Sequence, residues 1–539
     1  MQNFFFNRDS YIQILSKRLN DFIKGYRQNL AFIGKEMVGK TSIILHFFNR
    51  FYDFRIIPIY VLIRKNDFES FAKQFIGSLL YNFLLNSGIL LKEDFEFLID
   101  KSSKYIPKTV DKIKNIVALL ERKRKGDVFM ELLSLCDTIN QETGRFCVVI
   151  FDEFHNLETM GIKNLYKDWA KNLILQKNTM FIIISSSSYK SRKILMDNLS
   201  LLFGKFEVIE IEPFDFETSR EFLELKLGRI SIDKDIQNFL INLSGGIPFY
   251  LDTIASSICK MKSQDILDNS VEKELIWNAL EELFIEEIGT LNQRFYNYLK
   301  DLQEQGIDKE SIKLLIYLYE GYNKLKDISM IMRKEKNKIL KSFNYLLELG
   351  VVNKNGDFFK INDRMFNIWL KFVYEKRVSV LNWTEQALKD SFRKELDRLY
   401  NEFITSAHKD VSERIRELMS LFENECVYID RKKIKLINFR EIKPLKFNAL
   451  PFKDGLIGRS TDSVWLIAIK DGLITEEDIV NFSDECKKFR YKSKRKIMIS
   501  SNRIDTNVKL KAMEEKVLAW DIKNINLLFE LFNRPLIVI

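Results

Sequence analysis

A chain of 539 residues holds three or four domains at about 150 residues each, and its hydrophobic (46%) and charged (30%) fractions describe a folded globular protein rather than a disordered one. With 20 Gly and 7 Pro, turn chemistry is scarce, which excludes all-β and collagen-like architectures and predicts long helices. The 85 Lys+Arg against 75 Asp+Glu leave +10, a mild excess that suits a polyanionic partner and equally a solvated mixed-charge surface. Cys136, Cys147, Cys259, Cys426 and Cys486 are widely spaced and the histidines are His46, His155 and His408, so no local motif can build a zinc site. No apolar run approaches 18 residues, and Met1–Arg8 lacks a basic segment followed by a long apolar one, so a cytoplasmic protein is expected.

The first strong signal is Gly34-Lys35-Glu36-Met37-Val38-Gly39-Lys40-Thr41, which satisfies G-x-x-x-x-G-K-[ST] between an apolar strand at Leu30–Ile33 and a helix opening at Ser42. In that order the loop can aim successive N–H groups at phosphate oxygens, with the helix N-terminus adding its positive end. Lys40 is placed to neutralise the β/γ-phosphates and the Thr41 hydroxyl to ligate Mg²⁺. Phe146–Phe151 is a continuous apolar run, typical of a strand buried on both faces, and it ends in Asp152-Glu153. This is a Walker B pattern: Asp152 would hold Mg²⁺, and Glu153 would orient or deprotonate the attacking water. His155 reads as a loop or packing residue, with sensing of the nucleotide as the other reading. Thr179–Ile184 is a further buried strand, ending in Ser185-Ser186-Ser187-Ser188. Ser185 or Ser186 can take a γ-phosphate-sensing role there, with Ser185 preferred; an idle serine-rich loop is the other reading. Ile57–Ile63 and Phe206–Ile211 supply more strands, so the first 215 residues alternate β and α and predict a parallel sheet flanked by helices, with nucleotide at the carboxyl edge.

Phe6-Asn7-Arg8-Asp9, the P-loop, Phe151-Asp152-Glu153, the serine-rich strand end and Ser244-Gly245-Gly246-Ile247-Pro248 together resemble the archaeal ATPase family, P-loop proteins of the STAND branch related to AAA+ ATPases. The resemblance covers about residues 6–375. It implies a helical lid in which Pro248 contacts the nucleotide base. One departure stands out: family members carry Gly-Arg after the sensor strand where this chain has Gly204-Lys205, and lysine lacks the bidentate fork of arginine.

Beyond Phe216 the pattern is helical to about Leu299. Helices over Ser311–Glu320, Leu325–Met332 and Asn337–Leu349, then a hairpin over Val351–Ile361 turning at Asn355-Gly356, predict a winged helix-turn-helix. Residues 309–376 hold 14 Lys+Arg and 8 Asp+Glu, an excess of +6. Arg333, Lys334, Lys336, Lys338 and Lys341 fall on the turn and the expected recognition helix. DNA contact and internal docking are both open for this module. A long helical stretch from about Asn382 to Glu423 should follow, then strands at Cys426–Asp430, Ile434–Phe439, Ser463–Lys470, Lys496–Ser500 and Val517–Ile522, with a helix at Glu476–Phe489 and a final helix. That order resembles the PD-(D/E)xK nuclease-like domain. Asp454 would be its first acid and Lys470 its lysine, but Ala468 stands where the second acid belongs, so a carboxylate from Glu402, Asp462 or Glu477 would have to replace it. The basic, aromatic run Lys487–Lys496 reads as a nucleic-acid track or a solvated helix end.

The sequence therefore predicts an α/β protein: a P-loop core at 1–215, a helical lid at 216–300, a winged helix at 301–380 and a degenerate nuclease-like domain at 381–539. The expected function is a Mg²⁺-dependent ATP-binding and hydrolysing switch, DNA-associated through the winged helix, with a homo-oligomer or protein partner also open and no membrane partner. An ATP-gated nuclease and a non-hydrolysing ATP-binding scaffold are the alternatives.

Overall fold

The computed structural model describes residues 5–89, 94–199, 206–262, 270–379, 384–447, 454–489 and 494–538. Contacts divide the chain into two compact units: Met1–Phe214 with Ile247–Phe249, and Asp215–Gly246 with Tyr250–Ile539.

The first unit is built on a five-stranded parallel sheet of β1 (Asn29–Gly34), β2 (Ile56–Leu62), β3 (Phe146–Asp152), β4 (Thr179–Ser185) and β5 (Phe206–Ile211), in the order β2-β3-β4-β1-β5. The apolar runs form central strands because both faces are covered. Along β3, Cys147, Val149 and Phe151 enter one core, while Val148 and Ile150 enter the other. On β4, Phe181 and Ile183 alternate in the same way with Met180, Ile182 and Ile184. The chain leaves β1 for the far side of the sheet, returns through β3 and β4, and crosses β1 to reach β5. The carboxyl ends of β1, β3 and β4 thus converge where the strand order reverses, the usual ligand crevice of such sheets.

The second unit begins with helices, among them Phe216–Leu227, Lys234–Ser244, Pro248–Lys262, Lys273–Ile285 and Thr290–Glu304, with the short strands β6 (Ser231–Ile232) and β7 (Ser270–Val271). Helices Lys309–Tyr319, Leu325–Met332 and Lys336–Glu348 then lead into the hairpin β8 (Val352–Asn355) and β9 (Phe358–Ile361). Phe343 stacks on Phe359 at 4.0 Å, fixing the third helix to the hairpin.

The carboxyl end departs from the expected order. The expected helical stretch is two helices, Glu385–Ala407 and Val411–Ser420, with Asp410 at the start of the second. The strands β10 (Cys426–Ile429) and β11 (Lys432–Lys435) pair with each other as a separate hairpin. The main sheet is instead β12 (Glu441–Pro444), β13 (Asp454–Arg459), β14 (Val464–Lys470), β15 (Lys494–Ser500) and β16 (Val517–Trp520), antiparallel through β14 and parallel beyond it. Strand β13 escapes a sequence reading because Gly455 and Gly458 resemble loop residues. Close packing requires them: a Cβ at Gly455 would lie 2.5 Å from the Leu445 carbonyl oxygen, and one at Gly458 2.7 Å from the Phe439 ring.

Candidate nucleotide site

The P-loop joins β1 to the helix Lys40–Phe48. Its curl uses one glycine and, unexpectedly, one methionine: Gly39 has φ +92° and Met37 φ +62°. Gly34 has a different task. A Cβ there would stand 2.3 Å from the Ile211 carbonyl oxygen, so glycine allows β1 and β5 to close at their ends. Val38 is fully buried, and its carbonyl accepts from Arg8 Nη2 at 3.1 Å. The same Arg8 nitrogen donates to the Glu212 carbonyl at 2.9 Å, and the guanidinium lies 4.5 Å from the Phe214 ring centroid. Arg8 thereby ties the loop to the end of β5, a role that a lone arginine in the sequence does not announce. Glu36 and Ser42 are exposed, and Lys35 and Met37 are half-buried.

Lys40 is buried, and Nζ donates to the carbonyls of Gly34 at 3.0 Å and Lys35 at 2.5 Å. Burial pushes its pKa down, partly offset by the negative fields of Glu153, Glu36 and Asp152. A buried ammonium held by carbonyls is electrostatically under-compensated, and phosphate oxygens in the loop would supply the missing charge.

Walker A and Walker B residues meet directly. Thr41 Oγ1 donates to Asp152 Oδ2 at 2.7 Å, and the Glu153 N–H donates to Asp152 Oδ1 at 2.9 Å. A residue outside the sequence assignment joins them: the Tyr60 hydroxyl on β2 donates to Asp152 Oδ2 at 2.8 Å. Burial and the adjacent Asp152 charge raise the Tyr60 pKa, so the phenol remains a donor. Its signal was a polar ring inside the apolar strand Ile56–Leu62.

Glu153 occupies the left-handed region at φ +52°, a strained setting for a glutamate at the end of a strand. Its Oε2 accepts from Ser186 N at 3.1 Å and Ser186 Oγ at 2.7 Å. Burial raises its pKa while Lys40 and the Ser186 bonds oppose the rise. The structure thus ties Ser186 to the Walker B glutamate. Ser185 is fully buried: its Oγ lies 2.8 Å from His155 Nδ1 and accepts from Ser187 N at 3.1 Å. His155 Nδ1 is also 3.3 Å from Glu153 Oε2. Burial, aided by Lys190, Lys65 and Lys40, lowers the His155 pKa to about 3, so the ring is neutral at physiological pH. Of the two readings of His155, the packing one fits: the ring lies beside Glu153 and Ser185.

Pro248 opens the helix Pro248–Lys262 after Gly245 (φ +63°) and Gly246 (φ +69°), and Ile247–Phe249 group with the first unit. Gly204 and Lys205 lie outside the described residues.

The other expected sites fare differently. Lys470 Nζ is 2.6 Å from Asp478 Oδ2, and that carboxylate also accepts from Thr475 N and Oγ1, so Lys470 serves a helix cap. Ala468 is buried between Gly455 and Met498 of the neighbouring strands. Asp454 pairs with Ile469 along the backbone, one residue from the Gly455–Ala468 pair. Glu402 pairs with Arg398, and Asp462 accepts from Thr461. Among the described residues, no group of three or more His, Cys, Asp or Glu side chains could hold a metal ion. In the basic run, residues 490–493 lie outside the described residues. Lys487 and Lys488 pair with Asp484 and Glu485, Lys494 caps carbonyls of Cys486 and Phe489, Arg495 covers Trp465, and Lys496 binds Ser483 and the Glu515 carbonyl. That run is largely spent on its own domain rather than offered as a track.

The parallel sheet and its P-loop edge define an α/β protein with the fold of P-loop NTPases. Residues 5–254, which include every candidate nucleotide-site residue, match the model of an ATPase domain predominantly from Archaea. An uncharacterized ATP-binding protein of Methanocaldococcus jannaschii is 24% identical over 338 residues, 58% of this chain and 89% of that protein. Among solved structures, the Walker-type ATPase of Pyrococcus abyssi is similar at 18% identity, with 68% of this chain and 96% of that one covered and a TM-score of 0.48. The Aeropyrum pernix ORC2 protein, in ADPNP–ADP complexes, is similar at 12% identity, with coverage of 74% and 98% and a TM-score of 0.43. Among the described residues, no helix is long and apolar enough to cross a membrane.

Proposed function

We propose that the protein is a Mg²⁺-dependent ATPase of the switch type, hydrolysing ATP slowly at the carboxyl edge of the first sheet. The observation that carries this reading is the 2.7 Å bond from Thr41 to Asp152, which unites the P-loop with the Walker B strand while Lys40 and Glu153 flank it. Gly34 through Ser42 would bind the phosphates, and Pro248 the base side of the nucleotide. Thr41 and Asp152 would hold Mg²⁺, which supplies charge neutralisation across the β- and γ-phosphates. Lys40 exchanges its two carbonyl acceptors for phosphate oxygens. Glu153 orients the attacking water and takes its proton, and Ser186, bonded to Glu153, sets the carboxylate's position. Ser185 shapes this arrangement through His155. Expected turnover is low, since the motif after the sensor strand lacks the arginine that stabilises the transition state in vigorous P-loop enzymes.

In this reading, residues 1–215 form the catalytic core, 216–300 a lid, 301–380 a winged helix and 381–539 a degenerate nuclease-like domain retained for binding. DNA association would use the exposed residues Arg333, Lys336, Lys338 and Lys341. Lys334 contributes less because it is paired with Glu310. The test is equilibrium ATP binding together with phosphate release, with and without Mg²⁺ and duplex DNA. Binding without release would leave the scaffold reading in place. Nicking of plasmid DNA that is lost in Lys470→Ala would favour the gated nuclease.

A further inference from the structure

The tip of the β8–β9 hairpin, the part of a wing that would reach a nucleic-acid groove, is covered. Asp357 N donates to the Cys426 carbonyl at 2.9 Å, and Cys426 N to Asp357 Oδ2 at 2.7 Å. The Asn355 amide accepts from Tyr428 N at 2.7 Å and donates to the Tyr428 carbonyl at 3.0 Å. A Cβ at Gly356 would fall 1.8 Å from the Cys426 oxygen, so glycine is what lets the tip seat against β10. Phe358 is fully buried in the core that holds Val427, Ile434 and Trp465, and Lys324 is paired with Glu425. These contacts make the cover a built interface.

The covering element is itself basic. Between Cys426 and Lys435 the hairpin carries Arg431, Lys432, Lys433 and Lys435, all exposed and with no ion-pair partner among the described residues. Its one acid, Asp430, is held by Lys509 and Asn524. Tyr428 is 48% exposed and lies directly opposite Lys433, while Lys435 follows two residues later on the same face. Exposed Lys354 extends the cationic surface onto β8. Cations two residues apart on a strand are separated by about 7 Å, which two steps of a nucleic-acid strand also span. A lipid surface would call for exposed aliphatic side chains to insert, yet Val427, Ile429 and Ile434 are all buried.

We propose that the β10–β11 hairpin replaces the covered wing tip as a contact surface for the phosphate backbone of duplex nucleic acid. The proposal deepens the DNA-association reading and rests on it. The hairpin would meet phosphates through Lys433 and Lys435, which share a face with Tyr428, with Tyr428 packing against sugar, while the helix Lys336–Glu348 takes the groove.

The test is fluorescence anisotropy of the full chain with a labelled duplex of about 30 base pairs, from about 50 to 200 mM salt. Lys433→Ala/Lys435→Ala should weaken binding at least about ten-fold and flatten the salt slope by about 2, with the melting profile retained. The matching double arginine variant should bind like wild type. Unchanged affinity and slope in the alanine variant, while Lys336→Ala/Lys338→Ala loses binding, would overturn the hairpin proposal and leave the helix reading intact. No binding by wild type at low salt would overturn both. Binding to vesicles containing about a third phosphatidylserine, with none to duplex, would overturn the proposal in favour of a membrane surface.

Discussion

At the carboxyl edge of the first sheet, Lys40 is buried and held by the carbonyls of Gly34 and Lys35; at the carboxyl end of β14 in the second sheet, Lys470 is bound to the carboxylate of Asp478. Both lysines sit where an α/β protein places chemistry, and both follow a plausible motif in the sequence. They differ in what neutralises them. Carbonyl oxygens are neutral and readily exchanged, so Lys40 keeps its charge available for a polyanion. Asp478 is fixed by the Thr475 capping box, so Lys470 is already satisfied. A lysine at the carboxyl edge of a sheet becomes a ligand site when no carboxylate is bonded directly to it.

The comparison is sharpest as a pair of substitutions. Lys40→Met should abolish ATP binding and turnover, yet leave the thermal midpoint unchanged or raised, because it removes an under-compensated buried charge. Lys470→Met should leave turnover intact and lower unfolding free energy by about 1 kcal/mol, because Asp478 retains the Thr475 donors. Equal effects of both variants on ATP binding, measured by titration calorimetry, would break the contrast.

A second effect separates the serines. Ser186→Ala should reduce kcat about ten-fold with little change in the KM for ATP, since it frees the Glu153 carboxylate to wander. Ser185→Ala should act mainly on stability, through the lost contact with His155. The reverse pattern in steady-state kinetics would return Ser185 to the sensing role that the sequence suggested.

The seat of the hairpin tip makes a structural counterpart. Gly356→Ala meets both a left-handed backbone and the Cys426 carbonyl, and should lower stability by about 3 kcal/mol in urea unfolding without altering ATP turnover.

A further expected effect is one of pH. The folded His155 pKa of about 3 lies below the ordinary value of 6.5, so the unfolded chain binds the extra proton first as pH falls. His155 therefore costs no stability above about pH 6.5, and stability declines progressively from there toward pH 3. His155→Gln should flatten that part of the thermal-midpoint profile; an unaltered slope would remove His155 as its source.

The strand–loop–helix at Gly34–Thr41 and the Asp152-Glu153 pair were legible because each is local: a few adjacent residues specify both the element and the chemistry. The partners of those residues were not. Tyr60 reaches Asp152, Arg8 reaches Val38 and His155 reaches Ser185 only after distant elements are assembled. Ser185 and Ser186 stand side by side at the end of β4, and only the tertiary structure decides which hydroxyl faces Glu153. In the second unit, β13 carries no strand-like signal because its glycines are required by neighbours, Leu445 and Phe439, that sequence spacing does not bring to mind. The hairpin at Asn355-Gly356 was legible; that its tip is buried against β10 was not, because the contacts to the covering strand span 69 and 73 residues.

The central claim is that Glu153, bonded to Ser186 beside the Thr41–Asp152 junction, activates water at an ATP site. Phosphate release by the full chain with saturating MgATP, wild type against Glu153→Gln, tests it most directly. The account predicts slow, measurable release by wild type and a loss of about 10² to 10³-fold in the variant, with ATP affinity preserved. Equal release by the two proteins, or none by wild type while ATP binds tightly, would contradict it.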